Sequence, residues 1–343
     1  MSGSDTGRDV LPPAPAGGGV ATNGLGKRFG DLWALRDLHL DVQPGTVLGL
    51  LGHNGAGKTT AIRILTTLSQ ATEGSATVAG IDVAAHPERV REQIGVASQT
   101  ATVDDLMSAR LNLTTIGRLR GMNKAEAVTR SDELLAQLDL TDFAGALVRT
   151  YSGGMRRRLD LAASLMGDPA VLFLDEPTTG LDPVSRNGLW DMLADLVARG
   201  TTVLLTTQYL EEADRMADDI VVLDHGKTVA HGTPSELKLR VGGNRLDVTF
   251  APGTDLAVAS RAVEPFVDRR PAVDDEARVL TLPIHEGVRS IEVLRALDDA
   301  GLDALDVTRR EVTLDDVFLT LTGAKPVLDE PELLEPAIAG DRQ

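Results

Sequence analysis

Eight residues constrain this chain more than any others: Gly52-His53-Asn54-Gly55-Ala56-Gly57-Lys58-Thr59. They match the spacing G-x-x-x-x-G-K-[ST]. A continuous apolar run at 46–51 precedes them, and an apolar-periodic segment with Ile62, Ile64, Leu65 and Leu68 follows. Strand, glycine-rich loop, helix is the order that a phosphate cradle needs. The glycines let the backbone curl until successive N–H groups face one centre, and the helix adds its positive N-terminal end. Lys58 supplies a point charge for β- and γ-phosphates, and Thr59 a hydroxyl for Mg²⁺. The competing reading is a glycine-rich turn that matches by chance, and the flanking strand and helix count against it.

The rest of the chain is organised around that loop. Residues 170–174, 202–205 and 220–223 are further continuous apolar runs. Buried strands separated by helices predict an α/β fold, with a parallel sheet covered on both faces. Residues 38–42 alternate with period two and read as a half-exposed strand. Residues 103–168 break the alternation with helical patterns such as 124–138, so a helical insert is expected there. A helix opening at Pro234 closes this first unit, which spans 23–240. After Gly242-Gly243 a small α+β unit is expected over 245–324, with strands at 246–250, 278–282 and 307–312 and a helix at 290–300. Residues 1–22 are rich in Gly, Pro, Ser and Ala and read as a disordered tail; 325–343 read as an acidic one.

Two more motifs carry chemistry. Asp175-Glu176-Pro177 ends the apolar run at 170–174, and ligands of parallel sheets gather at such strand ends. Asp175 is suited to holding Mg²⁺, and Glu176 to polarising an attacking water. Alone, the pair reads as an ordinary strand-end turn; beside a phosphate loop it reads as catalytic. Tyr151-Ser152-Gly153-Gly154-Met155 precedes a helical stretch and forms an exposed helix start with free N–H donors. Alone, it is only a loop. Its meaning comes from standing between the phosphate loop and the carboxylates.

In that order, the motifs at 52–59, 151–155 and 171–177, with Thr179-Gly180-Leu181-Asp182, resemble the ATP-binding cassette (ABC) transporter ATPases over about residues 24–235. The resemblance implies a P-loop NTPase of ABC type: a RecA-like core, an antiparallel β subdomain and a helical subdomain. It also implies a head-to-tail pair of cassettes, formed with a second copy or a homologous ATPase. Each ATP then lies between the phosphate loop of one copy (Gly52 to Thr59, with Thr60) and Ser152, Gly153 and Gly154 of the other. Position by position, Phe29 takes the adenine-stacking place, Gln99 contacts Mg²⁺ or water with Thr59 and Asp175, and Asp182 is the dimer contact. One position departs: where the family usually has histidine, this chain has Gln208, which donates a hydrogen bond but does not titrate near neutral pH. Either Glu176 is the base, with Gln208 as donor and Lys58 as charge, or hydrolysis is slow. The wording Thr206-Thr207-Gln208-Tyr209-Leu210-Glu211-Glu212 and the close at 312–319 are similar to the daunorubicin/doxorubicin-resistance branch of drug exporters.

Composition bounds the alternatives. Lys and Arg number 34 against 51 Asp and Glu, a formal charge of −17, and only Phe 6, Trp 2 and Tyr 2 are aromatic. That argues against a nucleic-acid footprint or base-stacking platform. With no cysteine, thiolate chemistry and Cys-ligated zinc are excluded. The six histidines show no metal spacing, and Arg156-Arg157-Arg158 reads as a solvated helix face or subunit contact. No run is long and apolar enough to span a bilayer, and no secretory signal opens the chain, so a place at the cytoplasmic face of the membrane is expected, through a polytopic permease. The alternatives are a non-transport ABC ATPase and a nucleotide-gated regulator with little turnover.

Overall fold

A computed structural model describes residues 19–98, 103–207, 209–241, 244–267, 270–284, 287–310 and 312–322. The chain begins with β1 (Val20–Phe29), β2 (Leu32–Val42), β3 (Val47–Leu51), α1 (Lys58–Leu65), β4 (Glu73–Val78), β5 (Ile81–Asp82), α2 (Pro87–Gln93) and β6 (Ile94–Ala97). Helices α3 (Ala109–Leu119), α4 (Lys124–Gln137) and α5 (Gly153–Leu165) follow. The alternation resumes with β7 (Val171–Asp175), α6 (Pro183–Ala198), β8 (Thr202–Thr207), α7 (Leu210–Met216), β9 (Asp219–Asp224), β10 (Lys227–Gly232) and α8 (Pro234–Val241). The last part holds β11 (Arg245–Phe250), α9 (Leu256–Ala262), β12 (Ala272–Asp274), β13 (Val279–Pro283), α10 (Ser290–Asp299), β14 (Ala304–Arg310) and α11 (Leu314–Thr322).

Among the described residues the strands form three sheets, ordered β2-β1-β4-β5, β10-β9-β3-β8-β7-β6 and β12-β13-β11-β14. The middle one is parallel except for its edge strand β10, which pairs antiparallel with β9. Its inner strands β3, β7 and β8 are buried at every residue, which is why they read as unbroken apolar runs. Period two survives inside that burial. Leu172, Leu174, Val203 and Leu205 face the helical lobe with Leu113, Leu159 and Trp190. Val171, Phe173 and Leu204 face the opposite core with Leu35, Leu38 and Ile64. The sheet is thus covered on both sides, and each fully buried large side chain contributes about 1.5–3 kcal/mol.

Local signals start the helices. Asn123 and Glu126 form a reciprocal cap on α4, Asn123 Oδ1 accepting from Glu126 N at 3.0 Å and Glu126 Oε2 from Asn123 N at 2.8 Å. Ser108 caps α3, and Asp182 caps α6 ahead of Pro183.

Two expected boundaries shift. Strand β1 begins at Val20 and pairs Val20 with Val42 and with Val78, so residues 20–22 belong to the antiparallel sheet and not to a tail. Residues 1–18 and 325–343, expected as tails, lie outside the described residues. The expected 245–324 unit divides as well. Its sheet, α9 and α10 enclose a core of their own around Val248, Phe250, Leu280 and Leu297. Helix α11 leaves that core: Leu314, Val317 and Phe318 pack with Leu51, Leu210, Ile220 and Leu237 of the first unit. Sequence order placed α11 with β14, but its apolar face is complementary to α7 and α8.

Candidate functional site

The phosphate loop joins the end of β3 to α1. Gly57, at φ 108°, N-caps α1 in a left-handed conformation, and a Cβ there would collide with the Ala34 carbonyl of β2. Lys58 is only 5% exposed, and its Nζ donates to the carbonyls of Gly52 at 2.6 Å and His53 at 3.2 Å. Burial holds its ammonium below the usual lysine range, and the Glu176 and Asp175 charges oppose that shift. An anion in the loop would relieve the same desolvation. Asn54, Gly55 and Thr59 are exposed, Gly52 and Ala56 buried, and His53, Gly57 and Thr60 half-buried.

Sheet order brings the carboxylates to the loop. Strand β8 lies between β3 and β7, and Thr206 near its end is the link. Thr206 Oγ1 donates to Asp175 Oδ1 at 2.6 Å and accepts from Glu176 N at 3.1 Å. Thr59 Oγ1 donates to the other Asp175 oxygen at 3.4 Å. Asp175 is therefore buried and held from two sides. Glu176 takes φ 49°, in the left-handed region, so the chain turns between the two acids and separates their directions. Its Oε2 accepts from Thr179 Oγ1 at 3.4 Å. Thr206 was missed from sequence; only its place at the end of a buried strand beside two others could have marked it.

The glycine signature opens α5. Ser152 caps that helix, accepting from Met155 N at 3.2 Å, and Gly153 is exposed with open space around it. Gly154 is buried, and a Cβ there would strike Ser185 of α6. Ser185 in turn donates to Asp182 Oδ2 at 2.6 Å, while Asp182 Oδ1 accepts from Val184 N and Ser185 N, both at 3.0 Å. The Ser185 hydroxyl and backbone hold the Asp182 carboxyl below the usual range. The signature tip thus packs closely against the start of α6 at Ser185. Phe29 ends β1, 56% exposed, with Lys27 Nζ 5.1 Å from its ring centroid. Gln99 and Gln208 lie outside the described residues.

The arginine triplet corrects the expectation of a solvated face. Arg157 donates to Pro177 O at 2.6 Å, Ser98 O at 2.8 Å, Glu176 O at 3.0 Å and Asp175 O at 3.3 Å. One guanidinium thus clamps the signature helix to the ends of β6 and β7. Burial lowers its pKa, opposed by Asp160 and Asp175. Arg156 bonds to Asp105 at 3.2 Å, and Arg158 to the Leu138 carbonyl at 3.2 Å. All three are half-buried, because the helix lies against the sheet end.

A phosphate loop, a strand-end carboxylate pair and a capped glycine signature on a helical lobe define the class of ATP-binding cassette ATPases. A family model described as ABC transporter matches residues 35–179. The daunorubicin resistance ATP-binding protein DrrA2 of Streptomyces coeruleorubidus is 50% identical over 305 residues, 89% of this chain and 95% of that protein. The doxorubicin resistance ATP-binding protein DrrA of Mycobacterium tuberculosis is 44% identical over 309 residues, covering 88% and 93%. The Nod factor export ATP-binding protein I of Ralstonia nicotianae is 37% identical over 316 residues, covering 91% and 97%. Among solved structures, an ATP-binding subunit of an ABC transporter superposes with a TM-score of 0.60 at 26% identity, over 65% of this chain and 93% of that one. A dimeric cassette bound to ADP and phosphate shares the fold, with a TM-score of 0.57 at 24% identity over 62% and 98%. The chain belongs to the ABC transporter family as an ATP-binding subunit.

Proposed function

We propose that this chain hydrolyses ATP to drive export of a hydrophobic drug, lipid or similar compound through a separate membrane permease. The observation that supports hydrolysis most directly is the convergence of Lys58, Thr59, Asp175 and Glu176 at one sheet edge, joined by Thr206. Among the described residues no helix is long and apolar enough to cross a membrane, so the cargo path is assigned to a partner at whose cytoplasmic face the chain sits. Relatives named for daunorubicin resistance support a drug as cargo. A relative at 37% identity named for Nod factor export supports placing cargo choice in the permease, since similar cassettes serve different molecules.

In this mechanism, catalysis is positioning plus neutralisation of charge on the transferring phosphoryl group. Lys58 exchanges the Gly52 and His53 carbonyls for phosphate oxygens. The facing hydroxyl of Thr59 and carboxylate of Asp175 are hard oxygen donors that fit Mg²⁺, and Gln99 is assigned the remaining contact to the ion or its water. That ion supplies positive charge to the phosphate oxygens when bound. Glu176, turned away from Asp175, orients and deprotonates the attacking water. Gln208 donates toward the γ-phosphate. Ser152 and Gly153 at the exposed start of α5 close on the nucleotide of a second cassette, and Phe29 stacks on the adenine.

The deciding experiment is Glu176→Gln. It should retain ATP binding and ATP-dependent pairing while phosphate release, measured with the permease present, collapses. Near-normal release would remove Glu176 as the base.

A further inference from the structure

The phosphate loop is also held by the turn between β9 and β10, Asp224-His225-Gly226. Gly226 N donates to the Ala56 carbonyl at 3.0 Å, and the Gly226 carbonyl accepts from Arg36 N at 2.7 Å. His53, inside the loop, directs its ring at the same turn. Its Nε2 lies 2.9 Å from Asp224 Oδ1, and its Nδ1 lies 2.7 Å from the Asn54 carbonyl. His225 meets the His53 ring edge-on, with centroids 5.1 Å apart, and its Nε2 lies 3.9 Å from that same Asp224 oxygen.

Both nitrogens of His53 therefore face oxygens that accept. A neutral imidazole carries one N–H, so both contacts are favourable only when a cation, either a second proton or a metal ion, stands between Nε2 and the carboxylate. The third group decides which cation the site is built for. A proton needs only the His53–Asp224 pair, whereas here a second imidazole converges on the same oxygen, with all three ligand atoms within 4.8 Å of one another. In a tetrahedral site with bonds of about 2.0–2.2 Å, neighbouring ligand atoms stand roughly 3.4 Å apart. The observed 2.9 and 3.9 Å straddle that value and the two imidazole nitrogens lie within 4.8 Å of each other, so closing the set on an ion calls for rotation of the exposed His225 side chain toward His53. The side chains of His53 and Asp224 are 30% and 24% exposed and that of His225 is 84% exposed, which leaves an entry path and room for water as a fourth ligand.

We propose that His53, Asp224 and His225 form a binding site for a divalent cation that prefers imidazole, Zn²⁺ being the type case, which ties the phosphate loop to the β9–β10 turn. Two imidazoles and one carboxylate select against Mg²⁺, which prefers oxygen ligands. Occupancy bears on the nucleotide cradle, because the His53 carbonyl accepts from Ala56 N at 3.1 Å and from Lys58 Nζ at 3.2 Å. Holding the ring holds the peptide that positions Lys58.

The test is calorimetric titration of the EDTA-treated, dialysed full chain with ZnCl₂, without nucleotide, which would itself chelate the ion. The expected result is one saturable Zn²⁺ per chain. His225→Ala and Asp224→Asn should each weaken it by at least the roughly tenfold that loss of even an outer-shell partner costs. His231→Ala, which removes a separate exposed His–Asp pair, should leave the affinity unchanged. His225 is exposed, so its variant tests the site without threatening the fold; should Asp224→Asn fail to fold, His225→Ala decides alone. No saturable binding by the wild-type chain overturns the proposal. So does one bound Zn²⁺ that His225→Ala does not weaken, or that His231→Ala weakens equally. Neither outcome touches the hydrolytic reading, which Glu176→Gln tests separately.

Discussion

Replacing Arg157 with methionine tests whether the signature helix and the catalytic strand ends act as one unit. Methionine keeps most of the aliphatic stem and deletes the fork. Hydrogen bonds from a charged donor contribute about 1.5–3 kcal/mol each, so the two shortest, to Pro177 at 2.6 Å and Ser98 at 2.8 Å, sum to about 3–6 kcal/mol. The side chain is half-buried, so with a discount for solvent screening the net loss should be about 2–4 kcal/mol. For a chain of this size, that lowers the melting temperature by about 3–6 °C. The loss should also reach function at temperatures where the fold is intact. Ser98 precedes Gln99, and the Asp175 and Glu176 carbonyls belong to the two acids, so their shared anchor to α5 is gone. Below the melting range, ATP affinity measured with a fluorescent analogue should change little, while phosphate release with the permease falls about tenfold or more, the equivalent of 1.4 kcal/mol at the transition state. Arg157→Lys keeps the charge but cannot fork, and should fall between. An Arg157→Met chain that melts and turns over like the wild type would refute the clamp.

Two further outcomes follow from single contacts. Asp182→Ala removes the cap of α6 and should lower the melting temperature, whereas Asp182→Asn keeps an accepting oxygen and should not. If Asp182→Asn nonetheless loses ATP-dependent pairing, measured by light scattering, the charge serves the dimer and the oxygen serves the helix. Glu212 is buried, accepts from Thr178 and from Thr207 at 2.8 Å, and is pushed up by burial against those bonds and Arg186. A raised carboxyl contributes stability that is fully present below the ordinary glutamate range and lost as pH rises through the raised value. The melting temperature of the wild type minus that of Glu212→Gln should therefore fall as pH rises above the ordinary glutamate range. A difference that grows with pH would reverse the assignment.

By itself the sequence determined the α/β class, the phosphate loop, the carboxylate pair and the signature. Each is a short contiguous pattern whose residue types follow from local geometry. Buried parallel strands need unbroken apolar runs, as at β3, β7 and β8, and a phosphate cradle needs glycines followed by lysine at the start of a helix. What only the tertiary structure decided are the contacts between patterns. Thr206 matters because sheet order inserts β8 between β3 and β7, and nothing local marks it. Arg157 reads from sequence as part of a solvated helix face or a subunit contact; packing α5 across the ends of β6 and β7 turns it inward to four carbonyls. Helix α11 follows β14 in sequence yet packs on α7 and α8, since its apolar face is matched there. His53 and His225 lie far apart along the chain and show no metal spacing, but β9 beside β3 delivers them to one carboxylate. A residue's local pattern fixes its backbone; its partner across the fold depends on chain return, which no short window records.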